Sequence, residues 1–170
     1  MKPIIIAIVG KSGSGKTYMT EFLQSKLNVP AIVSYTTRPM RSGEINGKDH
    51  YFISEKQVPH KEHMLVYTRF GEYEYFSLHS QIPNNGICTY VIDEKGLEEL
   101  TNRFADRYEI ISVLLLCPME KLAIRGIDPK RIKRDRERKR LSTQFFDCII
   151  CNDGSIEEFE YRIMCQFNNL

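Results

Sequence analysis

The chain lacks any apolar run near the roughly 20 residues needed to span a bilayer, and its first residues do not have a secretory-leader layout. The first apolar stretch begins almost at once, so no segment is expected to be left over for targeting. A disulfide framework is missing too. The five cysteines, Cys88, Cys117, Cys148, Cys151 and Cys165, are odd in number and scattered, which points to a reducing, cytoplasmic setting. Cys148 and Cys151 have redox or zinc spacing, but they lie in an apolar run that reads as a strand. A separation of three sends the two side chains to opposite faces, so buried structural thiols are expected. An excess of charge of one sign is also lacking. A net charge of +2 fits neither a general nucleic-acid binder nor a membrane-surface protein. No repeat or low-complexity tract interrupts the 170 residues, a length suited to one domain with a sizeable core.

What the chain does have is Gly10-Lys11-Ser12-Gly13-Ser14-Gly15-Lys16-Thr17, set between the apolar run Ile4 to Val9 and a segment of helical spacing. Glycine, four residues, then Gly-Lys-Thr is the phosphate-cradling P-loop pattern, here with the strand before it and the helix after it that the loop requires. The glycines let successive backbone N–H groups converge on one anion. Lys16 supplies positive charge for the outer phosphates, and Thr17 a hydroxyl for Mg²⁺. The start of the helix adds unpaired N–H groups and a positive dipole end. A nucleoside triphosphate is the expected ligand.

Further along, the spacing predicts strands over Lys2–Val9, Ala31–Ser34, His50–Ile53, Met64–Phe70, Tyr73–Leu78, Ile87–Ile92, Ile110–Leu116 and Cys148–Cys151. Helices are expected over Lys16–Leu27 (apolar face Met19, Phe22, Leu23, Leu27) and after Asp93 (Leu97, Leu100, Phe104). Two more are expected after Pro118 (Met119, Leu122, Ala123) and from Ser155 (Ile156, Phe159, Ile163, Phe167). Ser54–Gln57 has capping-box spacing for a short helix. Alternating strands and helices argue for a parallel α/β sheet covered on both faces. The stretch from about Ser34 to Gln81 breaks that rhythm with short antiparallel strands and reads as an inserted subdomain.

Within it, Ser34-Tyr35-Thr36-Thr37-Arg38-Pro39-Met40-Arg41-Ser42-Gly43-Glu44-Ile45-Asn46-Gly47-Lys48-Asp49 is the second informative segment. Two arginines three apart, held by a proline, suit a single phosphate; an exposed polar loop fits the residues equally well. The segment resembles the nucleotide-binding signature of guanylate kinases, S-x-T-T-R-x-x-R-x-G-E-x-x-G-K-D-Y. The similarity continues in order through Tyr73-Glu74-Tyr75-Phe76-Ser77, Val91-Ile92-Asp93 with Gly96, Arg125-Gly126 and Ile150-Cys151-Asn152-Asp153. The resemblance implies an α/β, three-layer P-loop NTPase fold with a parallel central sheet, an inserted small α+β monophosphate-binding subdomain and a lid. The core would be 1–33 and 87–170, the subdomain about 34–86 and the lid about 125–142.

Carried over by motif, Gly10 to Thr17 would hold ATP, and Asn152 would contact the adenine edge. Arg38 and Arg41 would grip the acceptor phosphate, helped by His50, Tyr51 and Tyr75, with Ser34 and Ser77 at the base. Thr17 and Asp93 would serve Mg²⁺, and Lys16, Arg38 and the lid residues Arg125 and Arg134 would carry the catalytic charge. Tyr75 sits one residue off the family spacing. Three positions depart from the pattern. His50 stands where the family usually has Tyr, with Tyr51 following, so the pair is exchanged; an imidazole still donates to phosphate, with pH-dependent charge. No acid occupies Met64 to Arg69, where the family has a Glu that accepts from guanine. Val91 replaces the first acid of the family's Asp-x-Asp strand end. Glu72 and Glu74 are the nearest substitutes for the missing Glu.

Between Lys130 and Arg140, eight of eleven residues are basic and two acidic, leaving the rest of the chain at net −4. A lid closing over phosphates, a solvated helix face and a nucleic-acid patch all predict such a run. No aromatic residue interleaves it, which argues against nucleic acid. The expected activity is therefore ATP-dependent phosphorylation of a nucleoside monophosphate, GMP or dGMP by resemblance, with Mg²⁺ and with neither nucleic acid nor membrane as partner. The alternatives are a kinase for another base and a non-catalytic guanylate-kinase-like interaction module. The sequence sets no oligomeric state.

Overall fold

The computed structural model describes residues 2–84, 86–127, 129–137 and 141–168, without the side chains of Pro129, Lys130 and Arg134. The chain starts with strand β1, Ile4–Gly10, which ends in the glycine-rich loop. Helix α1, Lys16–Leu27, follows and leads to β2, Ala31–Ile32. The chain then leaves the first sheet. Strands β3 (Tyr35–Thr36), β4 (Tyr51–Phe52), β5 (Met64–Phe70) and β6 (Tyr73–Leu78) build a second sheet in the order β4-β3-β6-β5. Strand β7, Ile87–Val91, returns to the first sheet, followed by α2 (Glu94–Phe104), β8 (Glu109–Leu116), α3 (Met119–Ile124) and α4 (Pro129–Glu137). Strand β9 (Cys148–Cys151) and α5 (Ile156–Phe167) complete the described chain. The first sheet runs β2-β7-β1-β8-β9, and every pairing in it is parallel.

A strand buried on both faces needs apolar side chains at every position, which is why β1 reads as an unbroken run. The period of two then sorts those side chains. Ile5, Ala7 and Val9 pack with Ile32, Tyr90, Leu97 and Leu100 on the α2 side. Ile6 and Ile8 pack with Met19, Leu23, Phe159 and Ile163 on the α1 and α5 side. Ser155 caps α5 by accepting from the Glu158 N–H, and the Glu158 carboxylate accepts from the Ser155 N–H in return. Asp93 caps α2 by accepting from the Gly96 N–H at 2.7 Å.

Several sequence-based expectations need adjusting. The polar stretch after Ser34 contains β3, which only two residues long carries no periodic signal. The strand expected over Ala31–Ser34 ends at Ile32 because the chain turns there to enter the second sheet. The segment Ser54–Gln57 forms one tight turn of helix over Glu55–Gln57. Met119, Ala123 and Ile156 are exposed, so α3 buries only Leu122, and the stripe of α5 begins at Phe159. Leu27 and Phe104, at helix ends, are half-buried. Cys148 and Cys151 are half-buried as well, because β9 is an edge strand. The basic run holds α4; Arg138 to Arg140 lie outside the described residues. Among the described residues, no helix is long and apolar enough to cross a membrane.

Candidate nucleotide site

The loop at the end of β1 is crowded on every side. Gly15 is the N-cap of α1 with φ 104°, and a Cβ there would stand 2.6 Å from Nδ2 of Asn152. Gly13 has φ +78°, and its missing Cβ would collide with the Ile127 side chain at 2.5 Å. A Cβ on Gly10 would meet the Leu115 carbonyl oxygen at 2.7 Å. Lys16 lies on the first turn of α1 and donates from Nζ to the carbonyls of Gly10 (2.9 Å) and Lys11 (2.8 Å), so its ammonium rests on the loop. Thr17 is exposed at the same helix start. Ser14 is fully buried, and its Oγ has no hydrogen-bond partner among the described residues.

Among the described residues, three side chains from the C-terminal half hydrogen-bond to the backbone of this loop. Asn152, just past β9, donates from Nδ2 to the Ser14 carbonyl at 2.8 Å and accepts at Oδ1 from Arg125 at 3.3 Å, so both ends of its amide are engaged. Arg125 also donates to the Gly13 carbonyl at 2.6 Å. Asp135 of α4 accepts from the Ser12 backbone N–H at 2.6 Å and is buried. Arg134 lies on α4, and its side chain is outside the described residues.

The second sheet assembles another cluster, and pairing register decides its membership. Paired residues share a face: Tyr35 faces Phe76 and Tyr51, Thr36 faces Tyr75 and Phe52, and Val66 faces Ser77. One face therefore carries Ser34, Thr36, His50, Phe52, Val66, Thr68, Tyr75 and Ser77. The other carries Tyr35, Tyr51, Tyr67, Glu74 and Phe76. Ring contacts agree, with His50 edge-on to Tyr75 on the first face and Tyr51 stacked on Tyr35, then Phe76, on the second. Tyr51 thus stands on the opposite face from His50 and Tyr75, because adjacent strand residues point oppositely. Glu74 is on that far face too, accepting from the Tyr67 hydroxyl at 2.7 Å. It is therefore on the opposite face from Ser34 and Ser77, and Glu72 lies in the hairpin turn.

On the first face, His50 Nδ1 and Ser34 Oγ share a hydrogen bond of 2.8 Å. Burial pushes the imidazole below its ordinary range, and the neighbouring Arg38 guanidinium pushes the same way. Arg38 is itself buried, with its guanidinium over the Phe52 ring. It donates to both oxygens of Glu44, at 2.9 and 2.8 Å, and to the Pro39 carbonyl at 2.7 Å. Glu44 also accepts from the Arg41 N–H at 2.7 Å, and the hydrogen bonds from Arg38 hold its carboxyl down to about 2. The Arg41 side chain is exposed. Nε of Arg38 is buried and has no hydrogen-bond partner among the described residues. The ion pair Lys48–Glu21, at 2.8 Å, ties the arginine loop to α1. Tyr90 of β7 lies beside Ser77, joining this face to the first sheet.

Glu44 and Asp135 were not singled out from the sequence. Glu44 is six residues from Arg38 and meets it only because Gly43, with φ +84°, turns the loop back. Asp135 carried one signal, an acid in the middle of a basic run.

Among the described residues no cluster of three or more His, Cys, Asp or Glu is arranged to hold a metal ion. The donors present still suit Mg²⁺. Thr17 offers an exposed hydroxyl and Asp93 the oxygen not used in capping, and a hard cation that keeps its waters and takes phosphate oxygens needs few protein ligands.

A P-loop at the end of a central parallel strand, with a second sheet inserted between β2 and β7 and a buried arginine just after β3, defines a P-loop NTPase fold. A family model described as guanylate kinase matches residues 1–107. The guanylate kinase of Blochmanniella floridana is 30% identical, over 86% of this chain and 77% of its own length. That of Ehrlichia canis (strain Jake) is 30% identical, over 98% and 86%. The crystal structure of guanylate kinase from Anaplasma phagocytophilum superposes with a TM-score of 0.70 over 98% of this chain and 85% of that one; at 21% identity this shows the fold. The chain belongs to the guanylate kinase family, phosphotransferases whose substrates are nucleotides.

Proposed function

We propose that this protein transfers the γ-phosphoryl group of ATP to a nucleoside monophosphate, and that GMP or dGMP is the acceptor. The observation that carries the two-nucleotide reading is Arg38. A buried guanidinium with an unused Nε, fixed by a bidentate carboxylate beside His50 and Tyr75, is built to receive an anion. Family membership supports guanine as the base.

In this reading Gly10 to Thr17 cradle the ATP phosphates, and Asn152 sits at the adenine end. Arg38 and Arg41 hold the acceptor phosphate with His50 and Tyr75, while Ser34 and Ser77 lie at the base. Residues 1–33 and 87–170 act as the core, about 34–86 as the acceptor subdomain and about 125–142 as a lid contributing Arg125 and Arg134. Bound Mg²⁺, held through Thr17 and Asp93, would supply charge neutralisation. The rest follows from charge. Two anionic nucleotides repel, and the transferred group spreads its charge over equatorial oxygens, so the work is alignment and neutralisation by Lys16 and the arginines. An acceptor phosphate with a second pKa near ~6 is mostly dianionic at neutral pH, so no general base is needed. Lid closure excludes water and limits ATP hydrolysis.

One observation favours a second reading, a kinase with looser or different base preference. The strand residues on the Arg38 face include no carboxylate, and Val66 faces Ser77. A polar pocket that lacks one partner loses discrimination by orders of magnitude. A coupled ADP-release assay with each common monophosphate decides between them. GMP or dGMP turnover well above the others, abolished by Lys16→Ala in a folded variant, is expected. Turnover with another base instead rejects guanine, and ADP release that no acceptor accelerates rejects the kinase.

A further inference from the structure

We infer that Asp135 is a built-in competitor for the phosphate cradle, an acid on α4 that holds the P-loop in place of a nucleotide. The inference rests on the P-loop being the ATP site.

The Asp135 carboxylate accepts from the Ser12 N–H at 2.6 Å, a short, charge-assisted contact between residues 123 positions apart. Both residues are buried, at 7% and 4% exposure. Ser12 belongs to the backbone N–H array whose chemistry is anion binding, so the cradle receives its negative charge from the chain itself. Two further contacts come from the same part of the molecule. Arg125 donates to the Gly13 carbonyl at 2.6 Å, and Ile127 lies where a Cβ on Gly13 would have to go. Arg125, Ile127 and Asp135 are therefore seated together on Ser12 and Gly13.

The chemistry of α4 explains why an acid is needed for this. Helix α4, Pro129–Glu137, contains five basic residues, and Asp135 and Glu137 are its acids. Bringing such a helix to a loop that already holds Lys16 and a helix N-terminus sets positive charge against positive charge. One carboxylate at the contact point offsets that repulsion. A phosphate offers the same compensation and takes the same donor, and two anions do not share one N–H. Nucleotide entry therefore expels Asp135, and its apparent affinity falls by the fraction of molecules still latched.

The test is titration calorimetry of ATP into the full-length wild type, Asp135→Asn and Asp135→Ala, with melting temperatures recorded for each. Both variants are expected to bind ATP about tenfold more tightly, which corresponds to about 1.4 kcal/mol. Limited trypsin digestion without nucleotide gives a second reading: cleavage within residues 129–137 is expected to be several-fold faster in the variants. ATP affinity that is unchanged or weaker in both folded variants overturns the inference and leaves the P-loop assignment intact. Failure of all three proteins to bind ATP overturns the P-loop assignment, and the inference with it.

Discussion

Replacing Glu44 by glutamine tests whether the arginine loop is a preorganised anion site. The carboxylate receives three hydrogen bonds, two from the Arg38 guanidinium and one from the Arg41 backbone. Glutamine keeps the shape, but its amide N–H₂ is presented to a guanidinium that can only donate. A hydrogen bond to a charged group is worth about 1.5–3 kcal/mol and breaking a buried ion pair costs about 3–5 kcal/mol. The Glu44 side chain is 18% exposed and the Arg38 side chain 7%, so solvent recovers part of that cost, and a loss of about 2–3 kcal/mol is expected. For a chain of this size each kcal/mol moves the melting temperature by about 2–4 °C, which gives a drop of roughly 4–12 °C. Arg38 would also lose its fixed orientation, so KM for the acceptor should rise about tenfold while KM for ATP stays near the wild-type value.

The pH dependence has a definite sign. The Glu44 carboxyl is lowered from 4.5 to about 2, so its contribution is complete above pH 4.5 and is lost as pH falls towards 2. The difference in melting temperature between wild type and Glu44→Gln should therefore shrink once the pH drops below 4.5. Scanning calorimetry at neutral and acid pH, with acceptor and ATP kinetics at neutral pH, measures all three effects. A difference under ~1 °C at neutral pH, or one that does not shrink in acid, refutes the reasoning.

The face assignment makes its own prediction: Tyr75→Phe should raise acceptor KM several-fold, whereas Tyr67→Phe and Tyr51→Phe should leave it unchanged, as read by steady-state kinetics. Burial and Arg38 lower the His50 imidazole, so the folded protein resists a proton that the unfolded chain accepts. Stability should then fall as pH drops below 6.5, the ordinary value for the ring, and the fall in melting temperature between pH 7.5 and 5.5 should be smaller in His50→Gln.

The features legible in the sequence were those carried by local pattern. Gly10 to Thr17 specify the loop through residue type and spacing alone, and the runs Met64–Phe70 and Tyr73–Leu78 match β5 and β6 residue for residue. Features that depend on register were not legible. His50 and Tyr51 look interchangeable along the chain, yet pairing with β3 turns one towards Tyr75 and the other towards Tyr35. Glu74 looked like a nearby acid, and the β5–β6 pairing puts it with Tyr67 on the far face. Contacts between distant segments were out of reach for the same reason. Nothing local indicates that Asp135 meets Ser12 or that Asn152 meets Ser14.

The loop glycines bear on how this sequence can drift. Gly10 is confined by the carbonyl of Leu115 on β8, Gly13 by Ile127 ahead of α4, and Gly15 by Asn152 after β9. Each of the three constraints comes from a different part of the chain. A change at Gly13 has a route to accommodation, since Ile127 is a flexible side chain that can be shortened, although the left-handed backbone still penalises any residue with a Cβ. Gly10 has no such route, because a backbone oxygen stands in the way and no mutation removes it. In a library of variants selected for folding and activity, position 10 should be less permissive than position 13, and any tolerated replacement at position 13 should arrive together with a smaller residue at 127.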